Sequence, residues 1–441
     1  MAAISAAKHD PRAEVTVVIG DRVPYRRPAI PSLIAGFITE PAGAKIFSQE
    51  TLAKYNIKLI CPAEVVNIDP KNKTISILSN GKEVKLPYNS AVLAAGASPL
   101  LPKIKGSEKK SVCTFTTYEA AAEIVDAAKN AKSAVVIGAG FIALEIAEAL
   151  MHKGLDVYFN VRSRILRKTL EPDISDLLTK KFEQQGLKML VGEEISEIGG
   201  TDRVEYVVHK GTKIAADLVV IGTGMKPNVA LAEKCGIELG PTGAIKVDDR
   251  MQTSVSDIYA AGDCAESPDL DTGKFVYSPV GSIGASAGKI AGANAAGANQ
   301  QTKGFLRAQA DQILGFQIFS IGHSTTTAKE LGLKVKVHDL SVPQSSIKNA
   351  AANSFEAAKI LTDPNDKIIG AQLVARKHGS QFAWQLYKAV LEAEDRKEFL
   401  KRFNSPRTKL AEALVHALKS AVVVETAGTE KVLAMAEKNT N

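Results

Sequence analysis

The sequence predicts an α/β chain of doubly wound units with parallel sheets, followed by a smaller α+β unit. Three observations carry this. Short apolar runs recur, each closing on glycine: Val15-Thr16-Val17-Val18-Ile19-Gly20, Ala91-Val92-Leu93-Ala94-Ala95-Gly96, Ala134-Val135-Val136-Ile137-Gly138 and Leu218-Val219-Val220-Ile221-Gly222. Helical stretches lie between them, notably at 141–153 and 172–185. From about Phe305 the texture changes to polar–apolar alternation.

Continuous β-branched runs without polar alternation suit parallel strands covered on both faces, and their alternation with helices gives doubly wound units. Beyond Phe305, Gln317-Ile318-Phe319-Ser320 and Lys334-Val335-Lys336-Val337 read as half-exposed antiparallel strands. Segments 357–361 and 367–374 flank Asp363-Pro364-Asn365-Asp366, a turn-rich tetrad that predicts a hairpin. Helices around 381–394 and 408–423 complete the unit, and the charged tail from Thr426 is expected to fray.

Composition limits the function classes. The 441 residues are 45% hydrophobic and 23% charged, the balance of a soluble globular chain with length for two or three domains. A net charge of +7, from 55 basic and 48 acidic residues, is spread without a dense cluster, which predicts a solvated surface and no nucleic-acid patch. The longest apolar run, Ser133 to Met151, carries Glu145 and Glu148 and makes a poor membrane span. The N-terminal residues have no sustained apolar stretch. Four cysteines (Cys61, Cys113, Cys235, Cys264) stand singly, with neither a disulfide framework nor a metal-like grouping. A cytoplasmic setting is expected.

The strongest motif is Val135-Val136-Ile137-Gly138-Ala139-Gly140-Phe141-Ile142-Ala143-Leu144-Glu145, a GxGxxA fingerprint between a strand and a helix. Gly138 allows the tight turn, Gly140 lets a pyrophosphate approach the backbone, and Ala143 permits close helix–strand packing. The phosphates would then meet the unpaired N–H groups and the dipole of the helix N-terminus. The next strand, 156–161, ends without the carboxylate that selects NAD; Arg162-Ser163-Arg164 follow it instead. Two guanidinium groups there favour a 2′-phosphate and NADPH; the alternative is that both arginines are merely solvated.

Two further segments carry a family resemblance. Ser256-Asp257-Ile258-Tyr259-Ala260-Ala261-Gly262-Asp263-Cys264-Ala265 resembles the second flavin motif of the pyridine nucleotide-disulfide oxidoreductases. Ala95-Gly96-Ala97-Ser98-Pro99 and Gly222-Thr223-Gly224-Met225-Lys226-Pro227 resemble that family's two crossover signatures. The resemblance implies that Asp263 binds the ribityl and phosphate part of FAD, with Gly262 letting the ligand close. Ala95, Gly96 and Gly224 would line the crossovers, and Glu145 would contact the nicotinamide side, the alternative being an ordinary half-buried helix carboxylate.

It further implies two Rossmann-like dinucleotide-binding domains, for FAD and NAD(P), followed by an α+β dimerisation domain. The expected boundaries are 1–110 and 241–304 for FAD, 111–240 for NAD(P), 305–425 for dimerisation and 426–441 for a tail. Tyr25-Arg26-Arg27-Pro28-Ala29-Ile30-Pro31 resembles a segment of the branch holding coenzyme A-disulfide reductases, NADH oxidases and NAD(P)H sulfur reductases. A C2 homodimer is the implied assembly.

The chain departs from the family at three places. About 20 residues of a βα unit carrying the first GxGxxG are absent by comparison with a complete dinucleotide-binding half. A start codon assigned too late would explain this; poor FAD binding is the alternative. Pro28 stands where the thiol-using branch has its redox cysteine, and all four cysteines read as packing residues. Asn404-Ser405-Pro406-Arg407-Thr408 stands where other members carry a His-Pro-Thr proton donor, and His416 reads as an ordinary helix residue. Tyr25-Arg26-Arg27-Pro28 is similar instead to the Tyr-x-Arg-Pro of rubredoxin and ferredoxin reductases, which pass single electrons to a protein carrier.

The expected activity is therefore that of an FAD-dependent NAD(P)H oxidoreductase. Hydride would pass from NAD(P)H to flavin, and electrons onward to oxygen, a quinone-like acceptor, a polysulfide or a small redox protein. Two alternatives stay open: a coenzyme A-disulfide or sulfur reductase with an unrecognised thiol, and a flavin-free NAD(P)-binding partner protein.

Overall fold

The computed structural model describes residues 1–21, 25, 27–38, 48–339, 355–376 and 379–404. The expected helix 408–423, the tail, Arg26, Pro406 and His416 lie outside them. The chain divides into two compact units: residues 1–162 with 187–305, and residues 163–186 with the described residues from 306 on.

In the first unit, helix α1 (Ala2–His9) precedes strands β1 (Val15–Val18), β2 (Ile57–Ile60), β3 (Ala91–Leu93), β4 (Ala97–Pro99), β5 (Val112–Cys113), β6 (Ser133–Gly138), β7 (Asp156–Val161), β8 (Lys188–Val191), β9 (Leu218–Gly222), β10 (Met225–Pro227) and β11 (Ile258–Ala260). Helix α2 (Phe141–His152) follows β6, and α3 (Gly281–Ala295) follows β11. Five strands form one parallel sheet in the order β8-β7-β6-β9-β5. Its central strand is buried from Ala134 to Gly138, and α2 is buried at Ala143, Leu144, Ile146, Ala147 and Leu150. This is the doubly wound, Rossmann-like pattern that the unbroken β-branched runs predict.

The other half of this unit pairs β1 with β2 and β3 with β11, again in parallel. These pairs match β7–β8 and β9–β5 of the complete sheet, where β6 lies between. Among the described residues no counterpart of β6 joins them. Helix α3 packs on α1 closely enough that a Cβ at Gly292 would sit 2.1 Å from the carbonyl oxygen of Ala2. Only a small-residue helix can lie so near. Ala287 and Ala291 of α3 share a core with Leu93, Ile258 and Ala260. An antiparallel meander (Glu64–Asp69, Thr74–Ser79, Lys82–Pro87) completes this half.

The second unit holds an antiparallel sheet of β12 (Ala308–Ile313), β13 (Phe316–Gly322), β14 (Lys336–Asp339), β15 (Phe355–Thr362) and β16 (Ile368–Ala375), in the order β12-β13-β16-β15-β14. The predicted hairpin joins β15 and β16: Asp363 Oδ1 accepts from the backbone N–H of Asn365 (2.9 Å) and Lys367 (2.8 Å). Helix Gly379–Leu391 covers the sheet through Phe382, Leu386 and Val390. A further helix, Arg396–Asn404, is rich in charged residues, and Phe399 anchors it in the same core.

Segment 163–186, expected inside the NAD(P) domain, packs with this second unit. The Phe182 and Phe316 rings are 6.1 Å apart. The buried Glu171 carboxylate accepts from the N–H (2.9 Å) and hydroxyl (2.8 Å) of Thr325, and the Glu171 N–H donates to Gln372 Oε1 at 2.7 Å. A buried carboxylate needs such donors, and they come from residues far along the chain. No helix among the described residues is long and apolar enough to cross a membrane.

Candidate functional site

At the head of β6 the three fingerprint residues divide their work. A Cβ at Gly138 would lie 2.5 Å from Gly222 O and 2.8 Å from Ala143 Cβ, so Gly138 is required by the contact of β6 with β9 and α2. Its φ is not positive, so tight packing and not a left-handed turn demands glycine here. Gly140, the N-cap residue of α2, has nothing within 4 Å of its Cβ position. The first turn of α2 carries no acidic residue and no side-chain cap. Its free N–H groups can therefore receive a phosphate. Ala143 is 1% exposed and packs beneath. Glu145 is half-buried on α2, one turn further along.

The end of β7 differs from the sequence expectation. Asn160 is buried and donates to Leu190 O (3.1 Å) and Glu193 O (2.8 Å), clamping β7 to β8 and the residues just after it. Arg162 is largely exposed and pairs with Glu194 at 3.1 Å, so a carboxylate does reach this rim, from the neighbouring strand's loop. Arg164 has partners of its own. Its guanidinium donates to Leu170 O (2.6 Å), Ser175 Oγ (3.1 Å), Arg167 O (3.1 Å) and Thr326 Oγ1 (3.3 Å), all within the second unit. That guanidinium is committed to protein acceptors, which leaves Arg162 as the cation at the rim.

The crossover segments are zipped together. β4 pairs antiparallel with β10, setting Ser98 opposite Lys226. Asn228 donates from Nδ2 to Ala95 O (2.9 Å) and from its backbone to Gly96 O (3.0 Å), while Leu100 N donates to Gly224 O at 2.9 Å. Ala95, Gly96 and Gly224 thus come together; Asn228, the residue that ties them, has no sequence signal of its own.

Beyond β11 the chain turns at Gly262, where φ is +82° and a Cβ would find no atom within 4 Å. Asp263 follows, and its Oδ2 accepts from Arg27 Nη1 at 2.7 Å. Arg27 also reaches Ala97 O at 3.4 Å, and a Cβ on Gly96 would lie 2.9 Å from its Nη2. Gly284, in the first turn of α3, is packed against Gly262 Cα. Tyr25 anchors the start of the Arg27 segment by donating to Thr116 O at 2.6 Å, and burial pushes its phenol up to about 12. Pro28 is exposed in a short 3₁₀ turn beside Arg27. Sequence reasoning misses Arg27; its adjacency to the proline that replaces a thiol is the available clue.

None of the four thiols is activated. Burial raises Cys113 to about 11 and also raises Cys61, Cys235 and Cys264. Cys264 is fully buried beside Asp263, and Cys235 Sγ bonds back to Leu231 O at 2.8 Å within its helix. A thiol with a raised pKa is a poor thiolate source. Each Cys→Ala variant is expected to keep turnover within about twofold of the parent, and iodoacetamide at about pH 8 to label the folded protein slowly. Loss of turnover at one position would restore a thiol mechanism.

A glycine turn on a helix N-terminus, linked by crossover strands to a second glycine turn, defines a dinucleotide-binding α/β oxidoreductase architecture. A family model for pyridine nucleotide-disulphide oxidoreductases matches residues 1–280. The chain belongs to that family. The NAD(P)H sulfur oxidoreductase (CoA-dependent) of Pyrococcus furiosus is 33% identical over 326 residues, 73% of each chain. The NADH oxidase of Methanocaldococcus jannaschii is 30% identical over 373 residues, 83% of each chain. Among solved structures, an NAD-dependent persulfide reductase from A. fulgidus superposes with a TM-score of 0.86 at 28% identity, over 96% of this chain and 83% of that one.

Proposed function

We propose that the protein is an FAD-dependent NAD(P)H oxidoreductase that reduces its acceptor without a protein thiol. The carrying observation is the pair of glycine turns, Gly138–Gly140, open at Gly140, and Gly262–Asp263, open at Gly262, each against a helix N-terminus with no acidic residue in its first turn. The second turn fits a flavin nucleotide: Gly262 is open, Asp263 offers a carboxylate to ribityl hydroxyls, and two buried hydroxyls nearby lack partners among the described residues. When bound, the flavin supplies hydride acceptance and onward electron transfer. The protein's own part is to hold the nicotinamide nucleotide over Gly140 and Ala143, with Glu145 on the nicotinamide side, and to orient the flavin from Asp263. Preference for NADPH rests on Arg162, since Arg164 is engaged elsewhere. The acceptor is a small molecule or a small redox protein, and the working form a cytoplasmic homodimer.

The visible spectrum of the purified protein, before and after incubation with FAD, tests this. Absorbance near ~450 nm that bleaches on addition of NAD(P)H is expected. A protein that stays colourless after reconstitution overturns the proposal. The ratio of kcat/KM for NADPH to that for NADH then tests Arg162.

A further inference from the structure

The loop that follows β8 is pinned to the end of β7. Gly192 N donates to Val161 O at 3.0 Å, and Asn160 Nδ2 reaches Leu190 O (3.1 Å) and Glu193 O (2.8 Å). Gly192 turns the chain at φ +108°. Beyond it, Ile195 is 2% exposed and Ser196 N donates to Val208 O at 3.0 Å, so both sides of the loop are fixed. Glu194 lies between these anchors, and its Oε1 stands 3.1 Å from Arg162 Nη1. The two side chains are 58% and 66% exposed, and a pair so open to water adds little to folding. Its effect falls on what binds beside it. In a βαβ nucleotide site the adenine ribose reaches the end of the second strand, where a carboxylate accepts from the 2′-hydroxyl or a guanidinium takes a 2′-phosphate. This rim carries both groups, with the carboxylate supplied by the loop after β8 and not by β7. A 2′-phosphate there meets a guanidinium already paired and a carboxylate that repels it. A 2′-hydroxyl meets an acceptor on a fixed loop.

We infer that Glu194 is a specificity-determining residue: its carboxylate accepts a hydrogen bond from the ribose 2′-hydroxyl of NADH and competes with the 2′-phosphate of NADPH for Arg162. The pair lets one rim serve both nucleotides, with Glu194 holding back the preference that Arg162 alone would give. This deepens, and rests on, the NAD(P)H-dependent function proposed above.

Calorimetric titration of the full chain with NADP⁺ and with NAD⁺, oxidised forms that carry no hydride to pass on, tests the inference by binding alone. Glu194→Gln is expected to tighten NADP⁺ about three- to tenfold, by removing a repelling charge. It should weaken NAD⁺ about two- to fivefold, by replacing a charged acceptor with a neutral one. The gain for NADP⁺ should shrink at about 0.5 M salt, which screens exposed charges. The Tm should stay within about 2 °C of the parent, because the pair is exposed. Arg162→Gln should act the other way, weakening NADP⁺ about tenfold and leaving NAD⁺ within about twofold. Opposite shifts for the two nucleotides are what a merely structural role does not give. An NADP⁺ to NAD⁺ affinity ratio within about twofold of the parent in Glu194→Gln overturns the inference, as does an equal loss for both nucleotides. So does a gain that salt leaves unchanged. A parent chain that binds neither nucleotide overturns the proposed function together with this inference, whereas a parent that binds them and a Glu194 variant with an unchanged ratio overturn only the inference.

Discussion

Asp263→Ala is expected to weaken FAD binding by about 10- to 100-fold, the range for hydrogen bonds to a charged group. The Asp263 side chain is only 22% exposed and sits in the turn after β11, fixed by Arg27 at 2.7 Å. Removing it takes away the carboxylate that faces the open Gly262 turn and leaves Arg27 without its counter-charge. The Arg27–Asp263 pair itself is half-open to water and contributes little to folding, so the Tm should change by only a few degrees. Asp263→Asn, which keeps the shape and loses the charge, should fall between parent and alanine. FAD titration together with a thermal melt of the flavin-free protein checks both parts. Unchanged affinity in the alanine variant would remove Asp263 from the cofactor site.

Substitution at Gly138 is expected to act on the fold instead. The new Cβ would meet Gly222 O at 2.5 Å and Gly222 C at 3.0 Å, and these are backbone atoms of the paired strand β9. Neither can move without opening the central parallel ladder. Gly138→Ala should cost about 1–3 kcal/mol and lower the Tm by roughly 3–10 °C; Gly138→Val should cost more and reduce soluble yield. Gly140→Ala provides the contrast. Its Cβ position is empty and its backbone, at φ −95° and ψ 174°, accepts alanine. That variant should melt with the parent and raise the KM for NAD(P)H about tenfold, through crowding of the phosphate. Thermal melts and NAD(P)H titrations of the two variants separate packing from ligand approach. Equal melting of both would refute the division of labour between the two glycines.

Much of this is legible locally. The unbroken runs at 134–138 and 218–222 form β6 and β9, and the Asp363–Asp366 tetrad forms the hairpin, because strand periodicity and turn chemistry act over a few residues. The lack of a cysteine at position 28 is legible too, since Pro28 is a single residue read directly. Helix Arg396–Asn404 escapes sequence reading because five of its nine residues are charged, although Phe399 reaches the core. The placement of 163–186 escapes as well, because its partners Thr325 and Gln372 lie 154 and 201 residues beyond Glu171.

By itself, the sequence determined that a nucleotide-binding turn is expected at Gly138–Ala143, that a second one ends at Asp263, and that no nucleophile stands at position 28. Only the tertiary structure decided what the neighbouring side chains do. It engaged Arg164 with Thr326, 162 residues away, and brought Arg27 onto Asp263 across 236 residues. It also left the Tyr277 and Ser278 hydroxyls buried without partners among the described residues. The physical reason is range. Turn torsions and strand patterns are set by adjacent residues, whereas the fate of a guanidinium or a buried hydroxyl depends on which acceptors the folded chain brings within about 3 Å.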